Sequence, residues 1–135
     1  AAGMKLQDHG TVLVSVCTSD LEEAFPLIRR FYRMGFNIEA TTGTAEFLKA
    51  RGIRTRVKRD YTEDPADITE AMRSGKVAYL INTRDPSSTT HVNAGQDMRR
   101  LAIENNVTAF TSLDTVQALL DVLEAITSRI ATIDE

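Results

Sequence analysis

Apolar residues along this chain fall into two patterns, short β-branched runs and stretches with a period of three to four, and the two alternate from one end to the other. Thr11-Val12-Leu13-Val14-Ser15-Val16-Cys17 is mostly apolar, as a strand covered on both faces requires. Leu21, Ala24, Phe25, Ile28, Phe31 and Tyr32 then recur at helical spacing, from a capping-box-like Asp20-Leu21-Glu22-Glu23 to a stop at Met34-Gly35. Pro26 inside that run removes a hydrogen bond and bends the axis unless it falls in the first turn. Phe36 to Ala40 reads as a second strand, Ala45 to Arg51 as a short helix stopped at Gly52, and Ile53 to Lys58 as a third strand. Pro65 opens a helix through Ile68, Ala71 and Met72 that ends at Ser74-Gly75, and Val77 to Ile81 is a fourth, strongly apolar strand. Asn93 to Asn105 forms a helix with Met98, Leu101 and Ala102 inward, Val107 to Phe110 a last strand, and Ser112 to Ile126 a helix packing through Val116, Leu119, Leu120 and Leu123.

Five strands alternating with helices predict an α/β fold of three layers, a parallel sheet of Rossmann-type topology with helices on both faces. In such sheets ligands bind beyond the carboxyl ends of the strands, where strand order reverses. The predicted ends read Cys17-Thr18-Ser19, Thr41-Thr42-Gly43-Thr44, Lys58-Arg59 and Asn82-Thr83-Arg84. The second is a turn dense in hydroxyls and unpaired amides at a helix start, where the positive end of the helix dipole favours an anion. By itself it reads first as a helix cap and a turn, and only second as an anion site. Together the four ends gather threonine hydroxyls, amides and cations on one rim, a composition suited to a phosphorylated ligand.

Length and charge narrow this further. The chain has 135 residues, room for one domain with a real core. Residues 1–10, opening with Ala1-Ala2-Gly3-Met4, read as a leader carrying an expression scar, 11–127 as the domain and 128–135 as a tail. A formal charge of −3 gives no general affinity for nucleic acid or an anionic membrane. The single cysteine, Cys17, excludes an internal disulfide framework and fits a reducing compartment. With no apolar run of membrane-spanning length and no signal-peptide pattern, the expected location is cytoplasmic. Pro86-Ser87-Ser88-Thr89-Thr90 reads as a long loop, His91 as a loop histidine and Cys17 as a packing thiol; no spacing suggests a metal site.

The succession Val12-Leu13-Val14-Ser15-Val16, Gly35-Phe36-Asn37-Ile38-Glu39-Ala40-Thr41-Thr42-Gly43-Thr44-Ala45, Gly52-Ile53, Ser74-Gly75-Lys76, Leu80-Ile81-Asn82-Thr83 and Met98-Arg99-Arg100 resembles the methylglyoxal-synthase-like domain. Within that group it is most similar to the carboxy-terminal allosteric domain of the carbamoyl phosphate synthetase large chain. The resemblance implies a domain that does no chemistry and has no cofactor of its own. It would bind an effector and bias the preceding synthetase domains of an ATP-dependent ligase, itself using Mg or Mn and a glutaminase small subunit, in pyrimidine and arginine biosynthesis. The implied effector is a UMP-like nucleotide, with IMP, PRPP or ornithine as further candidates. Thr41, Thr42, Gly43 and Thr44 would hold its phosphate together with Arg59 or Lys58, while Asn82, Thr83 and Arg84 would face its sugar and base. Leu21 stands where the family places a lysine.

Two other readings stay open. A methylglyoxal synthase, which eliminates phosphate from dihydroxyacetone phosphate, needs a carboxylate base and a group that stabilises the enediolate. Asp60 and Asp64 lie in the corresponding region, and Asp85-Pro86 with His91 partly echoes the synthase loop, but Cys17-Thr18-Ser19 replaces the synthase residues at the first strand end. The alternative is a docking module in which the rim is incidental.

Overall fold

β1 (Thr11–Ser15) is the strand on which the sheet is built: it pairs in parallel with β2 (Asn37–Thr41) on one side and with β4 (Val77–Asn82) on the other. The computed structural model describes residues 9–61, 63–83 and 89–134, the helical stretches 89–94 and 127–134 by backbone alone. β3 (Thr55–Lys58) and β5 (Thr108–Phe110) form the edges, giving the order β3-β2-β1-β4-β5 with every pairing parallel. The five-stranded parallel α/β sheet expected from the hydrophobic pattern is therefore present. Its strand order reverses between β1 and β4.

Five helices cover the sheet: α1 (Leu21–Arg33), α2 (Thr42–Ala50), α3 (Pro65–Arg73), α4 (Thr89–Glu104) and α5 (Leu113–Asp134). The alternation of strand side chains sorts them. Val12 and Val14 point into a cluster with Ile28, Phe31, Leu48, Val116 and Leu120, so α1, α2 and α5 lie on one face. Leu13 and Leu80 point the other way, to Ile68, Met72, Met98 and Ala102 of α3 and α4. A register shift between Thr11 and Val12 puts both Ala78 and Tyr79 in the first cluster. Gly10, with φ +118°, permits that irregularity, since a Cβ there would meet the Lys76 carbonyl oxygen at 3.2 Å.

Several element boundaries differ from the sequence expectation, each for a local reason. β1 stops at Ser15, and Cys17 begins a 3-10 turn, Thr18–Asp20. Asp20 precedes α1 without capping it; its Oδ2 accepts from the Cys17 thiol at 3.0 Å. Pro26 lies inside α1, beyond the first turn. Leu27 takes an inward place on that helix while Tyr32 is exposed. α4 begins at Thr89, so Thr89, Thr90 and His91 belong to its first turn rather than to a loop, and α5 continues past Ile126 to Asp134. The rest of the expected loop, with Arg84, Asp85 and Pro86, lies outside the described residues. Among the described residues no helix is long and apolar enough to cross a membrane.

The helical face of α1 docks through rings. Phe31 meets Phe36 edge-on at 5.2 Å between centroids, and both lie 6.0 Å from Tyr79, which reaches Phe110 at the same distance. Arg30 ties α1 to α5 through a fork: its Nε donates to Glu124 at 2.8 Å and its Nη2 to Asp121 at 2.9 Å. That guanidinium holds the Glu124 carboxyl below the usual carboxylate range. Phe31→Ala is expected to lower stability by about 3–5 kcal/mol in a denaturant titration, the range for emptying a buried ring site. Arg30→Gln is expected to cost no more than about 1 kcal/mol at neutral pH, because the pair is exposed. A depressed carboxyl contributes stability above its unfolded value and loses it as pH falls through its folded one, so that difference should start to shrink below the ordinary carboxylate range and vanish only below the depressed value of Glu124.

Candidate functional site

The reversal of strand order opens a crevice above the carboxyl ends of β1, β2 and β4. It is a cavity of about 1130 Å³ whose wall includes Ser15 to Ser19, Leu21, Thr41 to Thr44, Glu46, Phe47, Asp60, Glu63, Asn82, Thr83, Gly95 and Met98. Local structure sets each wall. β2 ends at Thr41 and the next residue already begins α2, so the first amides of that helix face the crevice floor. Thr41, the residue before the helix, makes no side-chain cap. Gly43 leaves open space where a side chain would project, with nothing within 4 Å of an added Cβ.

Thr44 is the joint between these elements. Its buried hydroxyl accepts from Val16 N–H at 3.2 Å and from the Thr41 hydroxyl at 3.4 Å, and donates to the Val16 carbonyl at 3.3 Å. A hydroxyl has one proton and two lone pairs, so all of its capacity is used. What Thr44 retains for a ligand is its backbone amide. Thr83 makes the matching joint from β4: its N–H donates to Ser15 O at 3.1 Å and its hydroxyl accepts from Cys17 N–H at 3.1 Å. Two threonines thus fasten the end of β1 to the neighbouring strand ends.

Asn82 lies between these joints, paired in register with Ser15, and is 3% exposed. Among the described residues its Nδ2 has no hydrogen-bond partner. A buried amide left unpaired costs about 1–3 kcal/mol, a cost that this strand end carries at the cavity wall.

The remaining expected site residues fall in different places. Lys58 and Arg59 do not line the cavity: Lys58 Nζ is 3.9 Å from Glu39 Oε1, and Arg59 bonds Asp64 at 3.1 Å while its N–H donates to Asp67. Asp64 instead caps α3 by accepting from Ala66 N–H. Thr41, Thr42, Gly43, Thr44, Asn82 and Thr83 are brought together, and Arg84 and the His91 side chain lie outside the described residues. Among the described residues the wall carries no lysine or arginine, and Glu46, Asp60 and Glu63 make it acidic. Leu21 forms part of its apolar side, next to Phe47. Phe47 and Glu63 were not singled out from the sequence; the four-residue step from Gly43 to Phe47 is the signal that puts that ring beside the turn.

The MGS-like domain family matches residues 23–111, from α1 to the end of β5. The chain belongs to the MGS-like domain family. Among solved structures, methylglyoxal synthase from Elizabethkingia anophelis NUHP1 resembles it with a TM-score of 0.67, covering 85% of this chain and 79% of that one at 12% sequence identity. At that identity the likeness is one of fold. These findings correct the expectation of a regulatory piece of an ATP-dependent ligase that does no chemistry. What is shown is the MGS-like domain, with no link to a carbamoyl phosphate synthetase, and a solved structure that shares the fold is an enzyme.

In this MGS-like domain, Thr44→Val is expected to lower stability by about 1–3 kcal/mol, because it leaves the buried Val16 N–H and carbonyl unpaired. Chemical denaturation measures it; an unchanged midpoint would mean that the Thr44 joint does not hold β1.

Proposed function

We propose that the crevice binds a small phosphorylated metabolite, with its phosphate on the first amides of α2 and another of its oxygens on Nδ2 of Asn82. The observation that carries this reading is the amide of Asn82, without a partner among the described residues at the end of β4, with an uncapped helix start across β1 at the end of β2 on the same cavity wall. Neither feature alone indicates a ligand. Together they supply a dipole-favoured seat for an anion and, two strands away, a directional donor for another part of the same molecule.

The chemistry such a site supports first is proton abstraction followed by loss of phosphate, the reaction of a methylglyoxal synthase. Asp60 on the wall would serve as the base. Asn82 would donate to the oxygen on which negative charge develops, and the start of α2 would hold the departing phosphate. The resemblance to methylglyoxal synthase supports this reading.

A second reading rests on size. At about 1130 Å³ the cavity lies at the upper end of ordinary ligand pockets and exceeds what a triose phosphate needs. A nucleotide would fit a crevice of that size as a bound ligand.

Calorimetric titration with dihydroxyacetone phosphate, UMP and IMP, beside a methylglyoxal assay on the same sample, separates the two. Turnover establishes the lyase, and Asp60→Asn is then expected to lower it by about 10²–10⁴-fold with little change in affinity. Saturable nucleotide binding without turnover establishes the second. In either case Asn82→Leu is expected to weaken the bound ligand by about tenfold or more while leaving stability undiminished, since it removes an unsatisfied buried donor. Unchanged affinity in that variant would remove Asn82 from the site.

A further inference from the structure

The sequence reads Cys17 as a packing thiol, and the structure gives it polar surroundings instead. Cys17 is partly exposed, belongs to neither apolar cluster and lines the crevice. Its Sγ donates to Asp20 Oδ2 at 3.0 Å and lies 3.4 Å from Ser19 Oγ, while the Thr83 hydroxyl donates to it at 3.7 Å. A carboxylate thus holds the thiol proton, and two hydroxyls stand where they can donate to the sulfur once that proton leaves. Backbone structure fixes the group. Cys17 N–H is bonded to Thr83 Oγ1 at 3.1 Å, and the 3-10 turn that follows places Ser19 and Asp20 around the sulfur.

Asn82 supplies what a lone thiol lacks. It is 3% exposed, lines the same crevice, and its Nδ2 has no partner among the described residues. Asn82 pairs in register with Ser15, two residues before Cys17, and the residue after it is Thr83, which bonds both the Cys17 backbone and its sulfur. A nucleophile, a carboxylate that takes its proton and a buried donor without an acceptor are the groups that addition to a carbonyl requires, the donor receiving the oxygen on which charge collects.

We propose that Cys17 is a covalent carbonyl site, adding reversibly to an aldehyde or 2-oxoaldehyde in the crevice. The thiol proton passes to Asp20 as the S–C bond forms. The π pair of the C=O bond moves onto its oxygen, which accepts from Asn82 Nδ2 and takes the proton back from Asp20. The product is a hemithioacetal; nothing is oxidised or reduced, and no group leaves. This step needs no phosphate, so the site shares only Asn82 with the proposed phosphate seat.

The chain holds one cysteine, so any thiol adduct reports on this position. The test titrates the full chain with carbon-13-labelled methylglyoxal, follows the hemithioacetal carbon by NMR, and uses glutathione as the reference thiol. A single adduct is expected, reversed on dilution and tighter than that of glutathione by roughly tenfold or more, as preorganised groups provide. Cys17→Ser should abolish it, and Asn82→Leu should weaken it by about tenfold, the scale of one lost hydrogen bond. An adduct no tighter than that of glutathione marks an ordinary exposed thiol and overturns the site, whether or not any variant folds. A signal that survives Cys17→Ser overturns it as well. Unchanged adduct affinity in Asn82→Leu also overturns it, and if that variant still loses a phosphorylated ligand, the phosphate reading stands. A tight adduct in a chain that binds no phosphorylated ligand supports the thiol site and refutes the phosphate seat alone.

Discussion

The double pairing of β1 is the constraint on which the rest depends. A strand with parallel partners on both sides and helices on both faces has no exposed surface, so its interior must be apolar throughout, as Val12, Leu13 and Val14 are. The chain leaves β1 toward β2 and β3 on one side and returns to β4 and β5 on the other. The connections diverge at that point, and the crevice between them is where ligands enter sheets of this kind.

Polar residues at the strand ends then divide their work. Thr44 and Thr83 use their hydroxyls to close the end of β1 against its neighbours, which satisfies backbone groups that the crevice would otherwise leave unpaired. Asn82, one residue before Thr83, keeps an amide without a partner. The hydroxyl-rich sequence of the rim is therefore mainly a structural seam. What that seam leaves without a hydrogen-bond partner among the described residues is the side-chain donor of Asn82.

The acidic character of the wall follows from what surrounds it. Lys58 and Arg59 stand at the end of β3, but Glu39 and Asp64 engage their charged groups outside the cavity. With those cations engaged elsewhere, the dipole of α2 and the donor of Asn82 become the favourable terms for an anion, and Glu46, Asp60 and Glu63 oppose any second negative charge.

Periodicity alone determined the α/β class, the five strands, the inward faces of α3 and α5 and the Ala24, Ile28 and Phe31 part of the α1 face, because burial on one or two faces imposes spacings of two or 3.6 that the sequence cannot hide. The positions of Thr41 to Thr44 and of Asn82 at strand ends were equally legible, since turn and cap chemistry is local. Other features were decided only in three dimensions. Whether a hydroxyl bonds Val16 or waits for a ligand, and whether Lys58 faces a phosphate or Glu39, depends on which distant segment lies alongside. The extra turns of α4 and α5 came from their context, because Thr89 to His91 carry no strong helical signal of their own. The brace of Arg51 on Phe47 joins α2 to Glu22 and Phe25 on α1, a meeting that no spacing in the sequence encodes and that packing on the shared face of the sheet imposes.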